Sequence, residues 1–77
     1  MADRLERLFN LLSQLLTTPR PLTLEEIVRE VPGYPEEKAS YRRQFERDKE
    51  TLRDLGIEIS VMKLGELDTE IGYRVRP

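Results

Sequence analysis

The spacing of apolar residues changes once along this sequence, at Gly56, and this change limits the fold more than any other feature. Before Gly56, apolar residues recur every three or four positions, as they do on one face of an α-helix. After it they alternate with polar residues, which is typical of half-buried β-strands. Because 77 residues can build only one small core, we expect helices and a hairpin to share it in a single domain covering residues 1–77.

Two prolines separate the first predicted helix from the rest of the chain. This helix is expected over residues 3–16, and it ends before Pro19 and Pro21 because a proline cannot continue an α-helix. The stripe predicted to face the core consists of Leu5, Leu8, Phe9, Leu12, Leu15 and Leu16. Leu11 falls off this stripe, so we expect it either on the surface or in contact with a further domain or a second subunit.

Start and stop signals also delimit two further helices. Residues 23–26 form a capping box, in which Thr23 and Glu26 satisfy each other's backbone amides, and Leu22 is predicted in a short extended segment before it. The core face of this second helix is predicted to be Leu24, Ile27, Val28 and Val31. The glycine and prolines of residues 32–35 then make a turn. The third helix is predicted over about residues 37–55, with Gly56 ending it.

The alternating segments after Gly56 predict a β-hairpin. In the first strand Ile57, Ile59 and Val61 are expected to face the core, and in the second strand Ile71, Tyr73 and Val75. A loop over residues 63–70 joins the strands. Three helices with a tight turn before the third, followed by a hairpin, are the order of a winged helix-turn-helix. The fold class is therefore expected to be mainly α with a small two-stranded antiparallel wing.

Composition excludes several kinds of function. The chain has no cysteine and no histidine, which removes the usual nitrogen and sulfur ligands of transition metals and the commonest general base. We therefore expect neither a metal or cofactor site nor an enzyme. No apolar run approaches the roughly 18 residues of a membrane span, and no signal-peptide pattern is present, so the expected location is the cytoplasm, in association with the nucleoid.

The net charge of −2 does not by itself predict nucleic-acid binding, so the positions of the charges must decide. Between Lys38 and Lys49 five basic residues stand against two acidic ones, a local surplus of +3. A helical wheel places Tyr41, Phe45, Leu52 and Leu55 on the core side of the third helix, and Ser40, Arg43 and Arg47 on the opposite side. In winged helices the first half of this helix reaches base edges in the major groove of DNA.

The candidate DNA contacts follow from side-chain chemistry. Arg43 and Arg47 are predicted to touch bases or backbone, because a guanidinium group can bind guanine O6 and N7 at once. Ser40 and Gln44 are secondary reading residues, and Lys38 and Arg42 are expected to contact phosphates. In the hairpin the candidate phosphate contacts are Lys63 and Arg74, with Arg76 beyond them, although Glu66, Asp68 and Glu70 would resist close approach and make the wing's contribution weak.

Two alternatives remain open at this point. The arginines of the third helix could instead form i,i+4 ion pairs with Glu46, Glu50 or Asp54 on a solvated face. The domain could also be a protein-interaction module that does not bind DNA, which an acidic second helix and wing loop would suit. Asp48 is separate from both, because it falls near the core stripe. It is expected to find donors there, an arginine or backbone amides, as a structural bridge rather than a catalytic acid.

Several segments resemble a known family. Residues 45–57 resemble the end of the recognition helix in bacterial regulators that join a winged helix to a WYL domain. Residues 4–8, 21–27, 31–35 and 72–75 together resemble the N-terminal domain of actinobacterial regulators of the proteasome-accessory-factor B and C type. This resemblance implies transcription control by sequence-specific binding to double-stranded DNA. It also implies a ligand-sensing C-terminal WYL-type domain after Pro77, so that this chain would be a fragment, and a homodimer or heterodimer partner.

Overall fold

The computed structural model describes residues 3–65 and 70–75, and its elements follow the predicted order. Three helices, α1 (Arg4–Thr17), α2 (Leu24–Glu30) and α3 (Lys38–Asp54), precede the strands β1 (Ser60–Lys63) and β2 (Ile71–Arg74). The two strands pair antiparallel, from Ser60 opposite Arg74 to Lys63 opposite Ile71. The predicted fold class, three helices followed by a two-stranded hairpin as in a winged helix, is confirmed.

The helix ends are set by local hydrogen bonds. In the capping box of α2, the Glu26 amide donates to the Thr23 hydroxyl (3.1 Å) and the Thr23 amide donates to the Glu26 carboxylate (3.0 Å). At the end of α3, Gly56 adopts φ 91° and its amide donates to the Arg53 carbonyl, while the amide of Ile57 donates to that of Leu52. These two hydrogen bonds form a Schellman motif. The motif needs a residue in the left-handed conformation, which glycine adopts without strain. Both signals were readable from the sequence.

The core-facing side of α1 differs from the prediction. Leu11, expected off the core stripe, is fully buried, whereas Leu5 and Phe9, expected inside, are 77% and 70% exposed. At 100° per residue the apolar side chains of α1 cover an arc of about 160°. The rest of the domain covers only the half of that arc that contains Leu11 and Leu15. The prediction placed the core at the centre of the whole arc and was therefore wrong for these residues.

The first strand begins later than predicted. Ile57 lies outside β1 because its amide completes the cap of α3, and Ile59 packs against the core from the connecting segment. Val61 is in β1 but 53% exposed, contrary to the prediction. Because β2 lies between β1 and the bridge at Leu22, β1 is the outer strand and its side chains are covered on fewer sides. The predicted inward positions of β2 hold for Tyr73 but not for Ile71, which is 38% exposed.

The segment before α2 lies directly against the wing. Leu22 and Tyr73 exchange two backbone hydrogen bonds, of 2.9 and 2.7 Å, which confirms the predicted extended segment at Leu22. This close approach needs a glycine in β2, since a Cβ atom at Gly72 would stand 2.7 Å from the Cβ atom of Pro21 and 2.9 Å from Cδ2 of Leu64. The proline ring cannot rotate away, so the wing and the helices are held together at a position that tolerates no side chain.

Replacing Gly72 with alanine should therefore loosen the attachment of the wing. We expect Gly72→Ala to lower the free energy of unfolding by about 1–3 kcal/mol, the usual effect of forcing an extra carbon into a packed site. Urea unfolding followed by circular dichroism measures this. Val61→Thr, at an exposed position of the paired strand, is the control and should stay within about 0.5 kcal/mol of the parent chain. Equal stability of the two variants would contradict the conclusion that Gly72 has no room for a Cβ atom.

An ion pair reinforces the start of α2. Arg20 donates to both carboxylate oxygens of Glu26, with 3.1 Å between Nη1 and Oε1. This bond, together with the amide of Thr23, lowers the pKa of Glu26 from 4.5 to about 2. Because the pKa is lower in the folded chain, the ionised carboxylate stabilises the fold above about pH 4.5. That stabilisation is lost as the pH falls towards 2.

The pH dependence should change when Glu26 can no longer ionise. In the parent chain we expect the free energy of unfolding to fall between about pH 4.5 and pH 2, and Glu26→Gln should flatten part of that fall. Urea unfolding at a series of pH values gives both curves. Glu25→Gln, on the same turn but without the arginine partner, is the matched control. Parallel curves for Glu26→Gln and the parent chain would show that the ion pair does not contribute.

Candidate nucleic-acid interface

Helix α3 has one buried and one exposed face. Tyr41, Phe45 and Leu52 are buried, and Phe45 meets the ring of Tyr73 edge-on with 4.8 Å between ring centroids. Leu55, predicted on the same face, is instead 71% exposed. It is the C-cap residue, at the point where the chain leaves the helix, so the helical wheel no longer describes its direction. Apart from Leu55, the buried face is the predicted one.

Asp48 is a charged residue inside that buried face. It is 1% exposed, and its carboxylate accepts four hydrogen bonds from three side chains. Arg7 donates twice, from Nε (2.9 Å) and Nη2 (3.0 Å), the hydroxyl of Tyr34 donates at 2.7 Å, and the amide of Gln44 donates at 3.2 Å. The expectation that Asp48 bridges to an arginine is confirmed, and its other donors are side chains rather than backbone amides.

The Asp48 network joins three parts of the domain: α1 through Arg7, the turn after α2 through Tyr34, and α3 itself. The hydrogen bond with Asp48 raises the pKa of Arg7, and burial followed by the bond to Asp48 raises that of Tyr34, so both donors keep their protons at physiological pH. The guanidinium of Arg7 also lies 5.6 Å from the ring centroid of Tyr34. These contacts fix how α3 is rotated about its own axis.

The sequence analysis missed Arg7, although a signal was present. Arg7 lies four residues before Leu11, on the edge of the buried half of α1, and Asp48 is the one carboxylate near the core stripe of α3. Two opposite charges, each on the apolar side of its own helix, are expected to meet, since a buried charge needs a partner. The pairing was not recognised because the buried face of α1 was predicted wrongly.

Breaking the Asp48 network should be strongly destabilising. Asp48→Ala leaves the Arg7 guanidinium buried without its partner, and we expect a loss of about 3–5 kcal/mol in the free energy of unfolding. The double variant Arg7→Met/Asp48→Leu replaces both charges by apolar groups and should recover most of that loss. Urea unfolding of both variants and the parent chain makes the comparison. A double variant no more stable than Asp48→Ala would mean that the loss does not come from the unpaired charge.

Arg43 and Arg47 are the predicted contacts on the outward face of α3. Both are exposed, one turn apart, on the face of α3 opposite Phe45. Within residues 3–65 and 70–75, neither guanidinium group has a carboxylate within 4.0 Å, and Glu46 pairs with Lys49 at 3.0 Å instead. The alternative in which these two arginines are taken up by i,i+4 ion pairs is therefore not what the structure shows.

Lys38 and Arg42 lie on a different edge of α3. They are exposed and border an open groove between the helices and the wing, together with Ile71 and Tyr73 of β2. The carboxylates along the same groove belong to Glu25, Glu46 and Glu70. The structure thus separates the predicted basic residues into an outward pair and a pair at the wing-side edge, where acidic residues stand close by.

Ser40 and Gln44 use their polar atoms within the domain. The hydroxyl and the amide of Ser40 donate to one carboxylate oxygen of Glu37, at 2.6 and 3.0 Å, and this contact caps the start of α3. The hydroxyl bond, then the amide bond, lowers the pKa of Glu37. Gln44 donates to Asp48 as described above. Either residue would have to exchange these partners to contact a base. Both are therefore weaker candidates for base contacts than Arg43 and Arg47.

The wing presents its two candidate residues differently. Lys63 is exposed at the end of β1, whereas Arg74 of β2 is half-buried, and its Nε atom finds no hydrogen-bond partner in the described part of the chain. Glu70 is exposed beside β2. The expectations for Glu66, Asp68 and Arg76 fall outside the described residues.

Two other kinds of site are absent from residues 3–65 and 70–75. No helix there is long and apolar enough to cross a membrane. The same residues contain no group of three acidic, histidine or cysteine side chains that could hold a metal ion.

Sequence comparison identifies relatives of the chain. It is 45% identical over 75 residues, 95% of its length, to Protein PafB of Mycobacterium leprae, and 42% identical over 75 residues to PafB of Mycobacterium tuberculosis and of Mycobacterium bovis. The chain is similar to one segment of PafB. This confirms the predicted resemblance to the proteasome-accessory-factor B and C type. No protein-family model matches the chain, which spans 23% of the length of these PafB proteins.

Proposed function

We propose that residues 1–77 are the DNA-binding domain of a transcription regulator, and that α3 enters the major groove of double-stranded DNA. The observation that carries the proposal is the outward pair of arginines, Arg43 and Arg47, exposed one turn apart and with no carboxylate within 4.0 Å in the described residues. A guanidinium fork in this position can bind guanine O6 and N7, or two phosphate oxygens, through paired hydrogen bonds.

The burial of Asp48 strengthens the positive charge of the surface. Its carboxylate is 1% exposed and engaged by Arg7, so it adds little negative potential to the outside of α3. The first three turns of α3, residues 38–48, then present four basic side chains against a single exposed carboxylate, that of Glu46. The net charge of the whole chain, −2, does not reveal this positive surplus, because the acidic residues are concentrated elsewhere.

The charges along α3 also favour one way of docking. Glu50 and Asp54 are exposed on the face that carries Arg43 and Arg47, but nearer the end of the helix. A helix lying flat along the groove would bring these carboxylates against phosphates, and repulsion would oppose binding. Insertion by the first half of α3 keeps them away from the DNA. The exposed Glu37 carboxylate at the helix start accepts two hydrogen bonds from Ser40.

A protein-interaction role is the second candidate, and one observation favours it. Glu25 and Glu30 of α2 are exposed, and Glu25, Glu46 and Glu70 border the groove beside the wing. This acidic edge suits a basic protein surface better than DNA. Such a partner would engage the groove edge, whereas DNA would engage the outward arginines, so substitutions on α3 distinguish the two.

DNA binding is testable by fluorescence anisotropy with a labelled duplex of random sequence. We expect binding at about 50 mM salt that weakens steeply by about 200 mM, because bound phosphates release counterions. Arg43→Ala/Arg47→Ala should weaken binding at least about tenfold, since it removes two cations that would contact phosphates of a random-sequence duplex. It should also reduce the salt dependence.

The matched control removes two other exposed arginines. Arg4→Ala/Arg29→Ala makes the same change in net charge on α1 and α2, and we expect it to weaken binding less than about threefold. Arg7 is unsuitable as a control because it is buried against Asp48. Equal losses in the two double variants, or no binding of the parent chain at low salt, would overturn the proposed function and favour the protein-interaction role.

A further inference from the structure

An exposed carboxylate stands at the end of α3 that is proposed to enter the groove. Glu37 is the N-cap residue of α3 and directly precedes Lys38. Insertion by the first half of the helix keeps Glu50 and Asp54 away from the DNA, but it brings Glu37 to it. A carboxylate there repels phosphates on every duplex. It therefore weakens binding unless it also accepts a hydrogen bond from the DNA.

Two hydrogen bonds from Ser40 hold this carboxylate in place. The hydroxyl and the backbone amide of Ser40 both donate to Oε1 of Glu37, at 2.6 and 3.0 Å. Within residues 3–65 and 70–75, no hydrogen bond reaches the second oxygen, Oε2. Ser40 lies on the outward side of α3 with Arg43 and Arg47. The domain thus fixes one oxygen of Glu37 on the side of these arginines and leaves the other open to a donor from outside.

The charge of Arg43 acts on the same carboxylate. The hydroxyl bond from Ser40, the amide bond and the positive charge of Arg43 lower the pKa of Glu37, in decreasing order of effect. Glu37 is therefore ionised at physiological pH, and an ionised carboxylate accepts hydrogen bonds but donates none. In the described part of the chain no carboxylate lies within 4.0 Å of the Arg43 guanidinium. The start of α3 thus presents an acceptor and a donor near each other, without an ion pair between them.

An ionised carboxylate distinguishes between the bases in the major groove. Cytosine presents only a donor there, its N4 amino group. Adenine adds the acceptor N7 beside its N6 amino group, guanine presents the acceptors O6 and N7, and thymine presents the acceptor O4. Only at cytosine does a carboxylate oxygen meet a donor without an opposing acceptor. The chemistry of Glu37 therefore favours cytosine over the other three bases.

We infer that Glu37 selects the DNA sequence, with its Oε2 atom accepting a hydrogen bond from the N4 amino group of a cytosine, and that Ser40 is the positioning residue that holds it there. This inference rests on the proposed function and adds to it. Repulsion between Glu37 and phosphates is the same on every duplex, and a cytosine at the right position offsets it. Glu37 therefore contributes to specificity rather than to affinity, whereas Arg43 and Arg47 contribute to affinity.

Removing a single amino group from the DNA tests the contact. Selection by the 77-residue chain from duplexes randomised over about 20 base pairs gives its preferred sequence. Each preferred cytosine is then replaced by 2-pyrimidinone, which lacks the N4 amino group, opposite an unchanged guanine. At one cytosine we expect the replacement to weaken binding of the parent chain about tenfold in fluorescence anisotropy, the effect of losing a hydrogen bond to a charged group. Because the guanine is kept, arginine contacts to it remain.

Glu37→Gln should abolish this sensitivity. The glutamine oxygen can still accept both bonds from Ser40, so the cap is kept, but the outward group becomes an NH₂ donor. We expect the replacement of the same cytosine to change binding of this variant less than about twofold. Glu36→Gln makes the same change in charge at the exposed neighbouring position and should retain the sensitivity of the parent chain. Circular dichroism should show the same helix content in both variants.

Ser40 is tested by its hydroxyl. Ser40→Ala keeps the charge of Glu37 but removes the shorter of its two bonds, so we expect the sensitivity to cytosine replacement to fall from about tenfold to about threefold. Ser40→Thr keeps the hydroxyl and should restore it. A general loss of folding would not produce this pattern, because it would weaken binding to all duplexes in the same proportion.

The outcomes separate this inference from the proposed function. Equal sensitivity of the parent chain and Glu37→Gln at every preferred cytosine, or a parent chain insensitive at all of them, would overturn the role of Glu37 and leave α3 as the DNA-binding helix. A gain in affinity for Glu37→Gln that is the same on all duplexes would also overturn it, since the carboxylate would then only repel phosphates. A parent chain that binds no duplex at about 50 mM salt would overturn the proposed function itself.

Discussion

The buried carboxylate of Asp48 is the constraint on which the rest of the domain depends. A charge that is 1% exposed in so small a core is destabilising unless its oxygens are fully bonded, and four hydrogen bonds from Arg7, Tyr34 and Gln44 supply this. These donors come from α1, from the turn after α2 and from α3, so the network forms only when all three are in their final places. An apolar core could tolerate small rotations of α3, whereas a two-point guanidinium contact cannot.

Fixing α3 in this way decides which of its residues reach the surface. With Asp48 directed inward, Arg43 and Arg47 face outward, and the wing-side edge carries Lys38 and Arg42. The network also removes one carboxylate from the surface. The amino group of Lys49 lies 5.6 Å from the ring centroid of Phe45 and 5.5 Å from that of Tyr73, and it pairs with Glu46. The same few contacts therefore shape both the core and the electrostatic surface.

Features that depend on neighbouring residues were predictable from the sequence. The capping box at Thr23 and the left-handed Gly56 each arise within a few residues, so the helix boundaries follow from composition and spacing. The buried face of α3 was predictable because its apolar arc is narrow. The exposure of Arg43 and Arg47 followed from that face.

Features that depend on which surfaces meet were not predictable in this way. The arc of α1 is wide enough for either half to be buried, and only the packing of α2 and the wing selects the half with Leu11. Val61 has the residue type and the alternation of a core position, yet it lies on the outer strand. For the candidate site, Ser40 and Gln44 were identified as polar and near the right face, but their partners Glu37 and Asp48 are fixed by three-dimensional geometry.

The wide arc of α1 links the core to the proposed DNA-contacting surface of α3. Its buried half carries Leu11 and Leu15 and, at the edge, Arg7, which holds α3 through Asp48. Its uncovered half carries the exposed Leu5 and Phe9. That half is rigidly related to Arg43 and Arg47, because α1 and α3 are joined by a buried ion pair and by the bond from Arg4 to Thr51 (3.1 Å).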